Sequence, residues 1–261
     1  MLIDINSNTG HWPFRHTGGG TCSLLLEDMD RYGVDISVIS NMNGIFYKDT
    51  QAANEELHEE IISERRFWDR FIPFAVINPI YAGWKNDIDT CYNKFGFRGI
   101  RLYPQYHDYS ITDPSCIELV KYTRDKGLIV ALTIRMVDSR PRSWMDLASE
   151  WSLADVLPLL RMIPDARYFI LNVSGGIMLK EEDTALIRKS EVLFDTSGRN
   201  VSTPGELLVK YGNDKFAFGT HSPILDYLTG LLRIESMRES EAGEPVKEML
   251  RSGNARRFLG I

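Results

Sequence analysis

Lys126-Gly127-Leu128-Ile129-Val130-Ala131-Leu132-Thr133-Ile134-Arg135 carries a helix stop, a strand and a polar strand end in ten residues. A helical pattern spanning about Ser115–Lys126 stops at Gly127, and a nearly continuous apolar run, Leu128–Ile134, follows. A strand with one wet face would alternate polar and apolar residues. A nearly continuous apolar run suits a strand buried on both faces, as in a parallel sheet covered by helices. The run then ends on Thr133 and Arg135, polar groups at a strand's C-terminal end.

The same unit repeats in both directions. Upstream lie the runs Leu2–Ile5, Ile36–Ile39, Phe71–Ile77 and Gly99–Leu102; downstream lie Tyr168–Val173, Val192–Asp195 and Phe216–Gly219. Helical patterns separate many of them: Leu24–Tyr32, stopped by Gly33; Thr50–Phe67; Trp84–Lys94; and Leu153–Met162. Ser222–Arg233 and Pro245–Phe258 follow the last run. Eight β-like runs alternating with helices predict a parallel α/β sheet, closed most economically as a single (β/α)8 TIM barrel over residues 1–261. The competing open, doubly wound sheet often has a Gly-rich first turn; here the first run ends in Asn6-Ser7-Asn8. No linker or low-complexity segment divides the chain, and Asp138–Trp144 reads as a βα loop.

The 261 residues are 43% hydrophobic and 25% charged, which suits one large core. A net charge of −6 argues against nucleic acid or an anionic membrane as partner. The three cysteines, Cys22, Cys91 and Cys116, form no CxxC pair and point to a reducing compartment. The N-terminus has no basic leader, and no apolar run approaches the roughly 20 residues of a membrane span. The expectation is a cytoplasmic protein with a small-molecule substrate; a homo-oligomer is left open.

Barrel sites form where strands end at the C-terminal face. The polar residues at those ends are Asn6 and Asn8; Asn41 and Asn43; Asn78; Arg101, Tyr103 and His107; Thr133 and Arg135; Asn172 and Ser174; Asp195 and Ser197; and His221. Asn6 and Asn8, two apart on a strand, share a face and either bind substrate or satisfy loop backbone. Arg101 and Arg135 either pair with an acid such as Asp138 or Asp195, or await an anionic ligand. His221, after the last strand, is the best-placed histidine for acid–base work. His107 lies in the polar, aromatic loop Tyr103–Tyr109 and reads equally as a site or a solvated residue. His11, His16 and His58 read as packed or solvent-facing. Thr-Gly-Gly-Gly after His16 lacks the Lys-Ser/Thr of a phosphate loop. His221 and Asp195, with His107, make a thin metal set.

Several stretches together resemble one family. They are Ile3-Asp4-Ile5-Asn6-Ser7-Asn8-Thr9-Gly10, Phe74-Ala75-Val76-Ile77-Asn78-Pro79, Gly96-Phe97-Arg98-Gly99-Ile100-Arg101-Leu102, Leu193-Phe194-Asp195-Thr196-Ser197-Gly198, Phe218-Gly219-Thr220-His221-Ser222-Pro223 and Gly253-Asn254-Ala255-Arg256-Arg257. In this order the chain resembles the amidohydrolase-related branch of the amidohydrolase superfamily over nearly its whole length. The resemblance implies a metal-ligand His-x-His at Asn6-x-Asn8, further histidines at Thr133 and Asn172, and a proton-shuttling Asp at His221. Each position departs from that pattern. Metal-independent lactonases of the same superfamily use Arg to hold carboxylates.

The resulting expectation is a hydrolase or lyase for a small anionic carbonyl or lactone compound, working without a metal cofactor. His221, Tyr103 and His107 would be catalytic. Asn6, Asn8, Arg101, Arg135, Asn172 and Asp195 would bind substrate. The alternatives are a hydrolase dependent on zinc or another divalent metal with unusual ligands, and a non-catalytic small-molecule-binding barrel.

Overall fold

The computed structural model describes residues 1–173, 179–198 and 204–261. Eight strands lie in one sheet in chain order: β1 Ile3–Thr9, β2 Ile36–Asn41, β3 Phe71–Val76, β4 Gly99–Leu102, β5 Ile129–Thr133, β6 Arg167–Leu171, β7 Val192–Asp195 and β8 Phe216–Ala217. Every neighbouring pair is parallel. Hydrogen bonds from Ile5 N to Phe218 O (3.0 Å) and from Asn8 N to Ser222 O (2.8 Å) join β1 to the β8 end. The chain is therefore the single (β/α)8 barrel that the apolar runs predict.

The helices are α1 Cys22–Tyr32, α2 Thr50–Ser63, α3 Arg65–Arg70, α4 Trp84–Asn93, α5 Pro104–His107, α6 Pro114–Asp125, α7 Leu153–Met162, α8 Glu181–Lys189, α9 Pro204–Tyr211, α10 Tyr227–Glu235, α11 Glu244–Glu248 and α12 Asn254–Leu259. Local chemistry sets many of their ends. Thr21 accepts from Leu24 N at the start of α1, and Gly33 closes that helix in the left-handed region at φ 68°.

Three expected helices are corrected. Thr50–Phe67 breaks at Glu64, which is extended at φ −140°, ψ 133°. The short α3 beyond it turns so that Arg70 donates to Val34 O and Asp35 O. Pro245–Phe258 is interrupted by a wide π turn at Met249–Gly253. There the Leu250 carbonyl accepts from Phe218 N at 2.8 Å, a bond to the β8 end that draws it away from a regular helical partner. Ser222–Arg233 becomes helical only at Tyr227, because Ile224 N and Leu225 N are tied to His221 O and Asp226 caps α10. The helices α5, α8 and α9 were not foreseen.

The barrel interior is layered. At the floor, Ile3, Ile5, Phe74, Ile129, Phe169 and Leu193 pack on Ala255, Phe258 and Leu259 of α12. At the mouth, Trp12, Met42, Ile45, Val76, Tyr103, Met136, Val137 and Ile224 form a second apolar cluster. Between them lies a polar layer. Alternation along each strand places it: Ala131 is followed inward by Thr133, Leu193 by Asp195, and Gly99 by Arg101. The register of β1 on β2 shifts between Asp4 and Ser7, so apolar Ile5 is followed directly by Asn6 of the polar layer.

Gly99 admits the floor rings. A Cβ built there would lie 2.5 Å from Phe74 Cε2 and 2.7 Å from Ile129 O. Gly99→Ala is expected to lower stability by about 1–3 kcal/mol through overpacking, read as a lower denaturation midpoint with unchanged m-value.

Candidate functional site

Arg101 is the centre of the polar layer. Its side chain is 2% exposed and its charge cannot be lost at ordinary pH. Nε donates to Thr133 Oγ1 (2.8 Å), Nη1 to Ser7 O (3.2 Å) and Ser40 Oγ (3.1 Å), and Nη2 to Asn6 Oδ1 (2.7 Å). It makes no ion pair within 4.0 Å among the described residues. Its acid lies one residue away: Asn6 Nδ2 donates to Asp195 Oδ2 at 2.6 Å. Asp195 Oδ2 also accepts from Ser197 Oγ, and Oδ1 accepts from Asn172 N at 2.7 Å. Burial lowers the Arg101 pKa; the nearby groups Tyr103, Asp195 and Asp4 act against that.

His221 closes this network on the β8 side. It is fully buried, and its backbone stands in the left-handed region at φ 60°, held by a 2.6 Å bond from its N–H to Asn6 O. Nε2 lies 2.8 Å from Met136 O, an acceptor, so the proton sits on Nε2. Nδ1, 3.4 Å from Asn6 Oδ1, keeps its lone pair. Burial, then the Arg101 charge, pushes the His221 pKa down to about 3. The imidazole is thus neutral and a weak base in this state.

Asp4 anchors the seam beneath His221. It accepts from Asn6 N (2.9 Å), Thr220 N (3.1 Å) and Thr220 Oγ1 (2.6 Å), and from Ser7 Oγ. Burial raises its pKa, and these four bonds act the other way.

The remaining sequence candidates fall around this core. Asn8 donates to Ser222 O at 3.2 Å, and its Oδ1 takes long 3.5 Å contacts from Ser40 Oγ and from Tyr103 OH. Asn172, at φ 54°, donates from Nδ2 to Arg135 O (2.7 Å) and leaves Oδ1 buried without a partner among the described residues. Arg135 pairs with Asp138 and Glu150, both at 3.1 Å, so its charge is already countered. His107 is half-buried beside Tyr103 and Tyr109, with Nε2 at 3.1 Å from Gly44 O, and burial lowers its pKa. His58, expected to face solvent, instead stacks on Phe95 with centroids 4.1 Å apart. Ser174 lies outside the described residues.

Sequence reasoning did not single out Asp4, Ser7, Ser40 and Thr220. A charged Asp inside the apolar run Leu2–Ile5 was the available signal, because a buried carboxylate needs donors.

Among the described residues no group of three or more His, Cys, Asp or Glu converges. The oxygens of Asn6, Ser40 and Thr133 already surround a guanidinium, and both Asp195 oxygens accept hydrogen bonds. This donor set does not fit a divalent ion.

No family model and no curated protein matches the chain. Solved structures do. A 2,6-dihydroxybenzoate decarboxylase from Rhizobium aligns at TM-score 0.75 and 15% identity, covering 99% of this chain and 98% of that one. A dihydroxybenzoic acid decarboxylase from Polaromonas sp. JS666, holding manganese and 2-nitroresorcinol, aligns at 0.73 and 13%, covering 99% and 96%. A 5-carboxyvanillate decarboxylase from Novosphingobium aromaticivorans, with manganese and 4-hydroxy-3-methoxy-5-nitrobenzoic acid, aligns at 0.77 and 11%, covering 100% and 96%. At these identities the likeness is one of fold, the barrel that the resemblance also implies. The manganese corrects the expectation of a barrel without a metal cofactor: structures of this fold hold a divalent ion. That expectation rested on missing histidines, which speak only to ligand identity.

Two outcomes follow from the network. Arg101→Met strips donors from Asn6, Ser40 and Thr133 and the nearby positive charge from Asp195. A loss of about 3–5 kcal/mol is expected, measured by urea denaturation. For His221, the folded pKa of about 3 lies below the ordinary histidine value of 6.5. Its contribution is therefore complete above pH 6.5 and declines as pH falls towards 3, by up to about 1.4 kcal/mol per pH unit. Asp4, raised in the fold, acts oppositely and favours the folded state as pH falls. Stability measured from pH 7 to pH 4 should show a shallower acid slope in His221→Gln than in the parent chain.

Proposed function

We propose that the chain is an amidohydrolase-superfamily lyase or hydrolase acting on a small anionic carbonyl compound, with an aromatic carboxylic acid as the preferred class. The observation that carries this reading is Arg101, a buried permanent cation with no directly paired carboxylate, beside the neutral His221. Such a charge in a water-poor setting is strongly attractive to a carboxylate. The fold neighbours named for aromatic-acid decarboxylation support the same class.

In this reading Arg101 receives the substrate's negative charge, and Asn6 holds the guanidinium and Asp195 in place. Asn8 and Tyr103, with their long mutual contact, orient a substrate oxygen, and Asn172 offers its unpartnered Oδ1 as an acceptor. His221 supplies the proton relay. An anion close to Arg101 offsets the positive charge that depresses the His221 pKa, so substrate binding and proton uptake at Nδ1 reinforce one another. Decarboxylation needs a proton at the carbon that loses carbon dioxide, and hydrolysis needs one at the leaving group; a recharged His221 serves either. His107 and Arg135 act at the rim, where Arg135 anchors the loop through Asp138 and Glu150. No step is assigned to a metal.

The apolar mouth cluster lies above this layer, so substrate must part Trp12, Tyr103 and Met136 to arrive.

The test is a panel of hydroxybenzoates and small lactones, followed by carbon dioxide release and ring absorbance, with bound metal quantified on the same protein. Turnover of a carboxylic acid is expected, with kcat/KM reduced at least about a hundredfold in Arg101→Lys and His221→Asn. Saturable binding without conversion would replace the enzyme by a binding barrel. Neither binding nor turnover of any carboxylate would sink the reading. Turnover unchanged in His221→Asn would remove its proton role.

A further inference from the structure

The floor of the barrel carries a polar cavity, at the end opposite the mouth. It measures about 320 Å3, and its lining includes Tyr92, Arg98, Lys126, Gly127, Arg167 and Leu259. Strand register explains the convergence. Gly99 pairs with Ile129, and Ile129 with Arg167. Arg98, the Lys126–Leu128 turn and Arg167 therefore sit side by side at the starts of three neighbouring strands.

Both arginines reach the last turn of α12. Arg98 Nη2 donates to Leu259 O at 2.9 Å, and Arg167 donates to Phe258 O at 2.8 Å and to Gly127 O. Cations at a helix C-terminus are favourable on their own, and this accounts for those bonds. It does not account for the cavity, for Lys126, or for Arg98 Nε and Nη1 and Arg167 Nε, which make no hydrogen bond among the described residues. Neither arginine has a carboxylate within 4.0 Å among the described residues, and the cavity's lining contains no acid. Lys126 alone is paired, with Asp89 at 2.7 Å. Three cations with one counter-charge around one hollow is an unusual concentration for a chain of net charge −6.

We infer that this floor cavity is a binding site for a small dianionic oxyanion, such as a phosphate group or a compact dicarboxylate. The Arg98 and Arg167 edges supply directed donors and Lys126, held by Asp89, a point charge. An anion there joins α12 to the starts of β4, β5 and β6 and stabilises the folded chain in proportion to its occupancy. The inference is independent of the chemistry at the mouth.

The test is calorimetric titration of the full chain with inorganic phosphate and, separately, with malonate, at ionic strength held constant with sodium chloride. Thermal unfolding is followed in parallel. One-site binding of at least one dianion and a concentration-dependent rise in Tm are expected. Lys126→Gln, which leaves both arginine–helix bonds intact, should weaken binding at least about tenfold; Arg98→Met should weaken it further. The two titrations decide between phosphate and carboxylate. Dianions that raise Tm no more than chloride, or that bind Lys126→Gln as tightly as the parent chain, would overturn the inference.

Discussion

A permanent positive charge inside the barrel is the constraint around which the rest of the mouth is arranged. Arg101 cannot neutralise itself by losing a proton, so the fold must solvate it. It does so with oxygens from several strands: Asn6 and Ser7 of β1, Ser40 of β2 and Thr133 of β5. Asn6 passes the interaction to Asp195 of β7. Five of the eight strands, counting β4 itself, are thereby tied through one guanidinium. A relay through a neutral amide leaves the cation less completely countered than a direct ion pair would.

That charge also governs its surroundings. His221 is neutral because burial and Arg101 both oppose its protonation. Its unusual backbone is held by Asn6 O and by the Asp4–Thr220 bonds beneath it. Apolar clusters above and below keep the layer from bulk water. Exclusion of water strengthens each of these interactions and makes each unpaired atom, such as Asn172 Oδ1, costly to leave alone. Strain and unmet polarity concentrate in the same place, as they do at functional sites.

The comparison with solved decarboxylases separates scaffold from site. At 11–15% identity the whole barrel aligns, whereas the described donors around Arg101 do not form a set suited to manganese. A barrel persists because many apolar residues specify it jointly and each can be exchanged for another of similar size. A site depends on a few groups at the ends of different strands, so exchanging those groups alters the chemistry without disturbing the frame.

The amino-acid sequence by itself determined the alternation of buried strands and amphipathic helices, and hence the barrel. Periodicity is a local property: Leu128–Leu132 is apolar throughout whatever it touches, and Gly127 ends a helix by its own backbone freedom. It also marked Asn6, Arg101, Asp195 and His221 as strand-end groups. Only the tertiary structure decided how they combine. That Arg101 takes Asn6 rather than Asp195, and that Arg135 spends its charge on Asp138 and Glu150, follows from strand register and from the bulge in β1. The breaks at Glu64 and Leu250 were likewise invisible, since each accompanies a contact with a remote segment. Whether a buried polar group is paired, strained or poised for a ligand depends on atoms contributed from distant parts of the chain, and spacing along the sequence does not encode those distances.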